Sequence, residues 1–169
     1  MSISGQRGLV LLLSLVLMLL LGMLGVSVMA SALQQERMAR NLEALIQTFE
    51  QAQQVLQMGE ATAPAYRPPC SFCLPPPEAG QVSAAGVYSG AGASSGLAWQ
   101  AAGGGFYLVQ SLGQSTQARF MPPGLPVNLY RVTAVYRRGP ARSVLESVIA
   151  QPVDAGHTQG RRILWRQVY

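Results

Sequence analysis

The chain contains no lysine: all 12 of its basic residues are arginine, set against only 7 acids. The arginines are scattered, with pairs at Arg137-Arg138 and Arg161-Arg162, and no basic run of the kind that tracks a nucleic-acid backbone occurs. The pI near 9.8 therefore implies weak attraction to anions, and no specific nucleic-acid partner is expected. Histidine is equally scarce. The single His157, between Gly156 and Thr158, reads as a solvent-exposed loop residue. Close pairs of acids are missing outside one segment, where Glu36, Glu43 and Glu50 recur at sevens on one solvated helix face. The patterns Gly-x-Ser-x-Gly, Gly-x-x-x-x-Gly-Lys and His-Glu-x-x-His are all lacking. The run Gly103-Gly104-Gly105 lacks the strand-to-helix setting of a phosphate loop. The expectation is a protein without catalytic activity, cofactor or metal.

Cysteine is nearly absent too. Cys70 and Cys73 stand in Pro-Pro-Cys-Ser-Phe-Cys-Leu-Pro-Pro-Pro. The same spacing beside a βαβ pattern in a cytosolic enzyme would suggest thioredoxin-like redox chemistry. In a proline-rich loop of a chain whose start argues for export, a disulfide that staples the loop is the better reading. Zinc would need further ligands, and no second cysteine pair exists.

No charge occurs between Leu9 and Ala30. This run spans about 33 Å as a helix, enough to cross the hydrocarbon core of a bilayer. Arg7 on one flank and the polar remainder on the other place residues 1–8 on the cytoplasmic side. Three fates are open to the segment. Ala30-Ser31-Ala32 fits a signal-peptidase site, which would release a secreted binding protein beginning at Leu33. The segment could equally stay as an uncleaved anchor, or be trimmed only at its cytoplasmic end. Against release, the apolar run is longer than the usual signal-peptide core, and helical periodicity resumes just after it.

That periodicity runs from Met38 to Leu56 through Leu42, Leu45, Ile46, Phe49, Ala52 and Val55. Steps of three and four define one apolar stripe, predicted to dock on the chain's own sheet with Leu42, Leu45, Ile46 and Phe49 as its core contacts. No proline interrupts Leu9 to Gln57, so the apolar and amphipathic stretches read as one helix, predicted to end near Met58-Gly59 with Gly59 as its C′ residue. Five regions follow: 1–8, a leader; 9–30, the apolar helix; 31–58, its amphipathic continuation; 59–105, a Pro/Gly/Ala/Ser-rich variable stretch; and 106–169, an antiparallel sheet. Short strands are predicted around Gly86-Val87-Tyr88 and Leu97-Ala98-Trp99, and longer ones over Phe106–Val109, Leu129–Tyr136 and Ser143–Ile149. A turn at Arg138-Gly139-Pro140 joins the last two, and a final strand covers Arg161–Tyr169 with Trp165 and Tyr169 on one face. The fold class is α+β, a long N-terminal helix packed on a C-terminal antiparallel sheet.

Gln6-Arg7-Gly8 followed by Leu9-Val10-Leu11-Leu12-Leu13-Ser14 resembles the leader and helix start of type IV pilins. Gln35-Glu36-Arg37-Met38-Ala39-Arg40-Asn41 is similar to the Glu-Arg-Met-Ala-x-Asn segment of the PilX-type minor pilins, and residues 129–150 loosely resemble that family's closing hairpin. The resemblance implies cleavage between Gly8 and Leu9 by a prepilin peptidase and methylation of the new terminus. It also implies an inner-membrane anchor with a periplasmic domain. The implied partners are other minor pilins, the major pilin and, at the fibre tip, an adhesin. Pilus initiation, twitching motility, adhesion or DNA uptake would be the function. One position departs from the pilin pattern: the fifth residue after cleavage, glutamate in most pilins, is Leu13. That carboxylate meets the buried ammonium of the preceding subunit, so a subunit with no predecessor does not need it. The departure resembles tip-located subunits, including the tip pseudopilin of type II secretion, though the latter carries an extra helical domain that this chain is too short to hold.

Overall fold

The computed structural model describes residues 4–65, 68–153 and 160–168, and the side chains of those from Gly8 onward other than 26, 27 and 30. His157 and Tyr169, singled out above, lie outside the described residues. The chain divides into two compact units, Met1–Glu43 and Ala44–Tyr169.

A single helix, α1, covers Ser4–Thr62. After Arg7 it carries no charge until Glu36. Gly8–Gly25 has a mean hydropathy of 2.7 and is 0% buried, a segment long and apolar enough to cross a membrane. Glu36 and Arg40, one turn apart, pair at 2.5 Å on exposed surface, where such pairs add little.

In the second unit, six strands follow α1: β1 (Gly86–Val87), β2 (Ala98–Ala102), β3 (Gly105–Ser115), β4 (Val127–Arg138), β5 (Ala141–Pro152) and β6 (Arg161–Gln167). They form one sheet in the order β1 to β6, every neighbour antiparallel. Two turns are only two residues long. Gly103 and Gly104 join β2 to β3 with φ of 57° and 78°, the doubly positive loop that matches strand twist and that glycine adopts without penalty. Gly139-Pro140 joins β4 to β5, with Arg138 opposite Ala141. The run of three glycines is therefore a hairpin turn. The α+β class is as predicted, with β3, β4 and β5 extending beyond the residues predicted for them.

Alternation along the strands sends side chains to two faces, and both are covered. On one, Tyr107 and Val109 of β3, Tyr130, Val132 and Ala134 of β4, and Leu145 and Ile149 of β5 meet Ala52, Val55 and Leu56 of α1 and Ala63 beyond it. Burial of each such Val or Leu is worth about 1.5–3 kcal/mol. On the other, Leu108, Val135 and Val144 meet Ala79, Val82 and Trp99. The stretch 59–105, expected to be variable surface, thus supplies the second cover of the sheet. Its low complexity hid this, because besides Trp99 of β2 the cover needs only two smaller apolar residues, Ala79 and Val82.

Two further expectations are corrected. Leu42, Leu45 and Ile46 are not core: they are 58%, 50% and 50% exposed, and Phe49 is half-buried at the edge of the core. At the β4–β5 hairpin Gln47 accepts a hydrogen bond from Arg138, and the Thr48 hydroxyl lies 3.2 Å from that of Ser143. The helix residues buried in the core against the strands are Ala52, Val55 and Leu56. The helix also does not stop at Gly59. It continues to Thr62 and passes into a 3-10 turn, Ala63–Ala65. Gly59 lies against the sheet, where a Cβ would stand 2.6 Å from Val132 Cγ1 and 2.9 Å from Tyr107 Cδ2. Glycine is there for close approach of helix to strands, not for termination.

Candidate functional site

The residues expected to govern processing and assembly sit on the apolar part of α1. Leu9 and Leu13 are 71% and 66% exposed. Among the described residues, and apart from the helix's own neighbouring backbone, nothing lies within 4 Å of a Cβ built on Gly8, Gly22 or Gly25. This surface is available to lipid or to other apolar helices, and the glycines permit close backbone approach.

The other predicted element, the cysteine loop, is built onto the sheet. Cys70 and Cys73 are joined by a disulfide, with Cα atoms 5.4 Å apart. The loop is anchored at four points. The amide of Cys70 donates to Ser111 O at 3.2 Å. Gln110 Nε2 donates to Phe72 O at 2.5 Å and to Leu74 O at 3.0 Å, and Arg131 Nη1 donates to Cys73 O at 2.6 Å. Gln110 and Arg131 are directly paired across β3 and β4. They present an amide and a guanidinium to three successive carbonyls that the short disulfide ring turns in one direction.

Behind Arg131 stands a buried carboxylate. Glu146 of β5 is 1% exposed; it accepts a hydrogen bond from Arg166 Nε at 3.0 Å, and Arg166 Nη2 and Arg131 Nε lie at ion-pair distances of 2.9 and 3.5 Å. Burial pulls the Arg131 guanidinium below its ordinary pKa, Glu146 opposes this, and the Arg166 charge adds to it. Two arginines around one acid hold the buried charge in place, and removal of either partner of such a set costs several kcal/mol. The sequence showed Arg131 only as the polar half of a strand alternation, and nothing linked it to residues 15 and 35 positions away.

A second buried carboxylate was missed altogether. Glu78 is 1% exposed and accepts from the Ser95 amide at 2.9 Å, the Ser95 hydroxyl, and Trp99 Nε1 at 3.2 Å. Burial pushes this carboxyl up, but the hydrogen bonds from Ser95 and Trp99 outweigh it and hold Glu78 below the usual carboxylate range. Its contribution to stability is therefore present above the ordinary carboxylate pKa and is lost as pH falls through the lowered value. The sequence signal was a lone acid after three prolines, which specifies no partner.

Among the described residues, no group of three or more His, Cys, Asp and Glu side chains comes together as a metal would require. A recess of about 390 Å³ beside the end of α1 contains Glu60 and Arg162, but these are joined to each other by two hydrogen bonds of 2.8 and 2.6 Å. Comparison with protein families, with curated proteins and with solved structures returns no match for this chain.

Proposed function

We propose that the protein is a minor pilin that primes, and caps, a type IV pilus. It would be anchored once in the inner membrane with Ala44–Tyr169 on the periplasmic side. The observation that carries this reading is the division of labour along α1. One uninterrupted helix carries a charge-free segment, Gly8–Gly25, that the described residues leave unburied, and ends docked on a six-stranded antiparallel sheet. A soluble domain has no use for the first part, whereas a subunit that assembles through its helix needs both. The Gln6-Arg7-Gly8 leader resemblance and the leucine at position 13 place the chain among assembly-starting subunits in this reading. The work it does is packing rather than catalysis. Its partners are the helices of other minor pilins and of the major pilin, a prepilin peptidase, and a tip adhesin.

The mature N-terminus tests the proposal. In cells with active prepilin peptidase, mass spectrometry of the membrane-bound protein should find Leu9 at the terminus, N-methylated, and Gly8→Ala should strongly reduce the trimming. A chain that retains Met1 under these conditions would exclude the pilin reading. One that begins at Leu33 would instead establish a secreted domain cut after Ala32. A trimmed chain found with a secretion apparatus and absent from pili would favour the type II pseudopilin reading.

A further inference from the structure

Phe120 is the one non-glycine among the described residues with a positive φ, at 62°. A bulky side chain in that conformation is strained and persists only where its surroundings impose it. Here the imposing element is the β3–β4 loop, residues 116–126, which contains Pro122, Pro123 and Pro126. Backbone hydrogen bonds from Met121 to Ala118 (3.2 Å), Gly124 to Thr116 (3.1 Å) and Leu125 to Pro122 (3.2 Å) close it on itself. Burial is not what the strain achieves, since Phe120 is 55% exposed.

The strain places an aromatic ring within cation–π distance of two arginines. The guanidinium carbon of Arg119 lies 4.7 Å from the ring centroid and that of Arg161, from β6, 5.7 Å. Arg161 Nη1 also donates to Phe120 O at 3.1 Å. Both arginines are exposed, and neither has a carboxylate within ion-pair distance among the described residues. Arg131, Arg162 and Arg166, by contrast, are each paired with Glu60 or Glu146. Beside the ring is a recess of about 430 Å³, lined by Thr116, Gln117, Ala118, Met121, Pro123 and Gly124. Within Ala44–Tyr169 this cluster stands at the end of the sheet away from the β4–β5 hairpin.

We infer that the Arg119–Phe120–Arg161 cluster and the adjoining recess form a binding site for an acidic, partly apolar peptide segment of another protein. A guanidinium stacked on a ring directs its N–H donors outward in its own plane; Arg161 gives Nη1 to Phe120 O, and its remaining donors and those of Arg119 are suited to a carboxylate. The two charges are separated by no more than the sum of their distances to the ring, about 10 Å. An extended peptide places side chains i and i+2 on one side about 7 Å apart, which fits one acid to each arginine. The adjoining recess, where Ala118, Met121 and Pro123 stand with Thr116 and Gln117, takes a partly apolar side chain beside them. An exposed apolar centre with a cationic rim is the anatomy of a protein contact. Single-stranded nucleic acid or a sugar polymer would need the ring face for stacking, and guanidiniums already lie over it.

The test uses the full chain in nanodiscs of zwitterionic lipid and a fluorescein-labelled dodecapeptide of alternating glutamate and leucine, read by anisotropy at low salt. The peptide should bind. Arg119→Glu and Arg161→Glu should each weaken it about tenfold or more, Phe120→Ala by a similar factor, and Arg119→Lys by less. Thermal melting shows which variants are folded; should Arg161→Glu unfold the domain, Arg161→Gln replaces it. The same peptide with lysine for glutamate should not bind. The inference is overturned if the acidic peptide fails to bind the unmodified chain, or binds the folded variants equally well. It is also overturned if a twelve-residue oligothymidylate or polygalacturonate displaces the peptide and binds more tightly at these same residues. None of these outcomes depends on cleavage at Gly8, so this site and the pilus reading stand or fall separately.

Discussion

Gly59 is where the helix backbone lies close against the sheet. In an exposed helix interior, alanine for glycine stabilises by up to about 1 kcal/mol. At this position the added methyl would stand 2.6 Å from Val132 Cγ1 and 2.9 Å from the Tyr107 ring, both in the core. Overpacking of this kind costs about 1–3 kcal/mol, so Gly59→Ala should lower the stability of the domain despite the gain in helix propensity. Denaturant unfolding of the two proteins decides the sign, and a stabilised variant would mean that the helix slides outward without loss. The buried acids follow a related logic. Glu78 and Glu146 are each 1% exposed, and each is surrounded by donors from segments distant in sequence. They fix which segment lies over which strand, and an apolar residue could not.

Among the elements, the disulfide loop has its role set by the strands beneath it. Closing so short a ring removes little chain entropy, about 2 kcal/mol. The contacts through Gln110, Ser111 and Arg131 would persist if the loop kept its shape without the bond. Replacing both Cys70 and Cys73 by serine should therefore lower the melting temperature modestly and leave the sheet folded. Amide exchange should quicken at position 70, which donates to Ser111 O, while β4 and β5 stay protected. Thiol labelling of the unmodified protein from its native compartment should find no reactive cysteine. Loss of the whole sheet in the serine variant would show that the staple is needed for folding, not merely for anchoring the loop.

For the molecule as a whole, the decisive position is Leu13. If the protein starts the fibre, no subunit lies ahead whose ammonium would need a carboxylate, and Leu13→Glu should leave assembly nearly unchanged. If Leu13 packs in lipid or against apolar helices of the shaft, the same change inserts a charge at a cost of several kcal/mol and should abolish incorporation. An epitope in the 80–100 region, gold-labelled on sheared fibres, gives the second half of the test. Label at single ends supports a starting subunit, and label spaced along the shaft rules it out. Deletion of the protein should then reduce surface pili far beyond its own abundance.

Long-period patterns were legible in the sequence. The charge-free run from Leu9 to Ala30, the strand alternation of β4 and the glycine-proline turn that follows it are local regularities, and the physics behind each acts over a few residues. The cysteine pair, three residues apart, was equally open to inspection. Where the helix meets the sheet was not. The stripe from Met38 to Leu56 is uniform in sequence, but only its second half is covered, because the sheet decides where packing begins. The partners of Glu78, Glu146 and Phe120 were hidden for the same reason. Each is made by segments 15 to 41 residues apart, and side chains so separated meet only after the strands have paired.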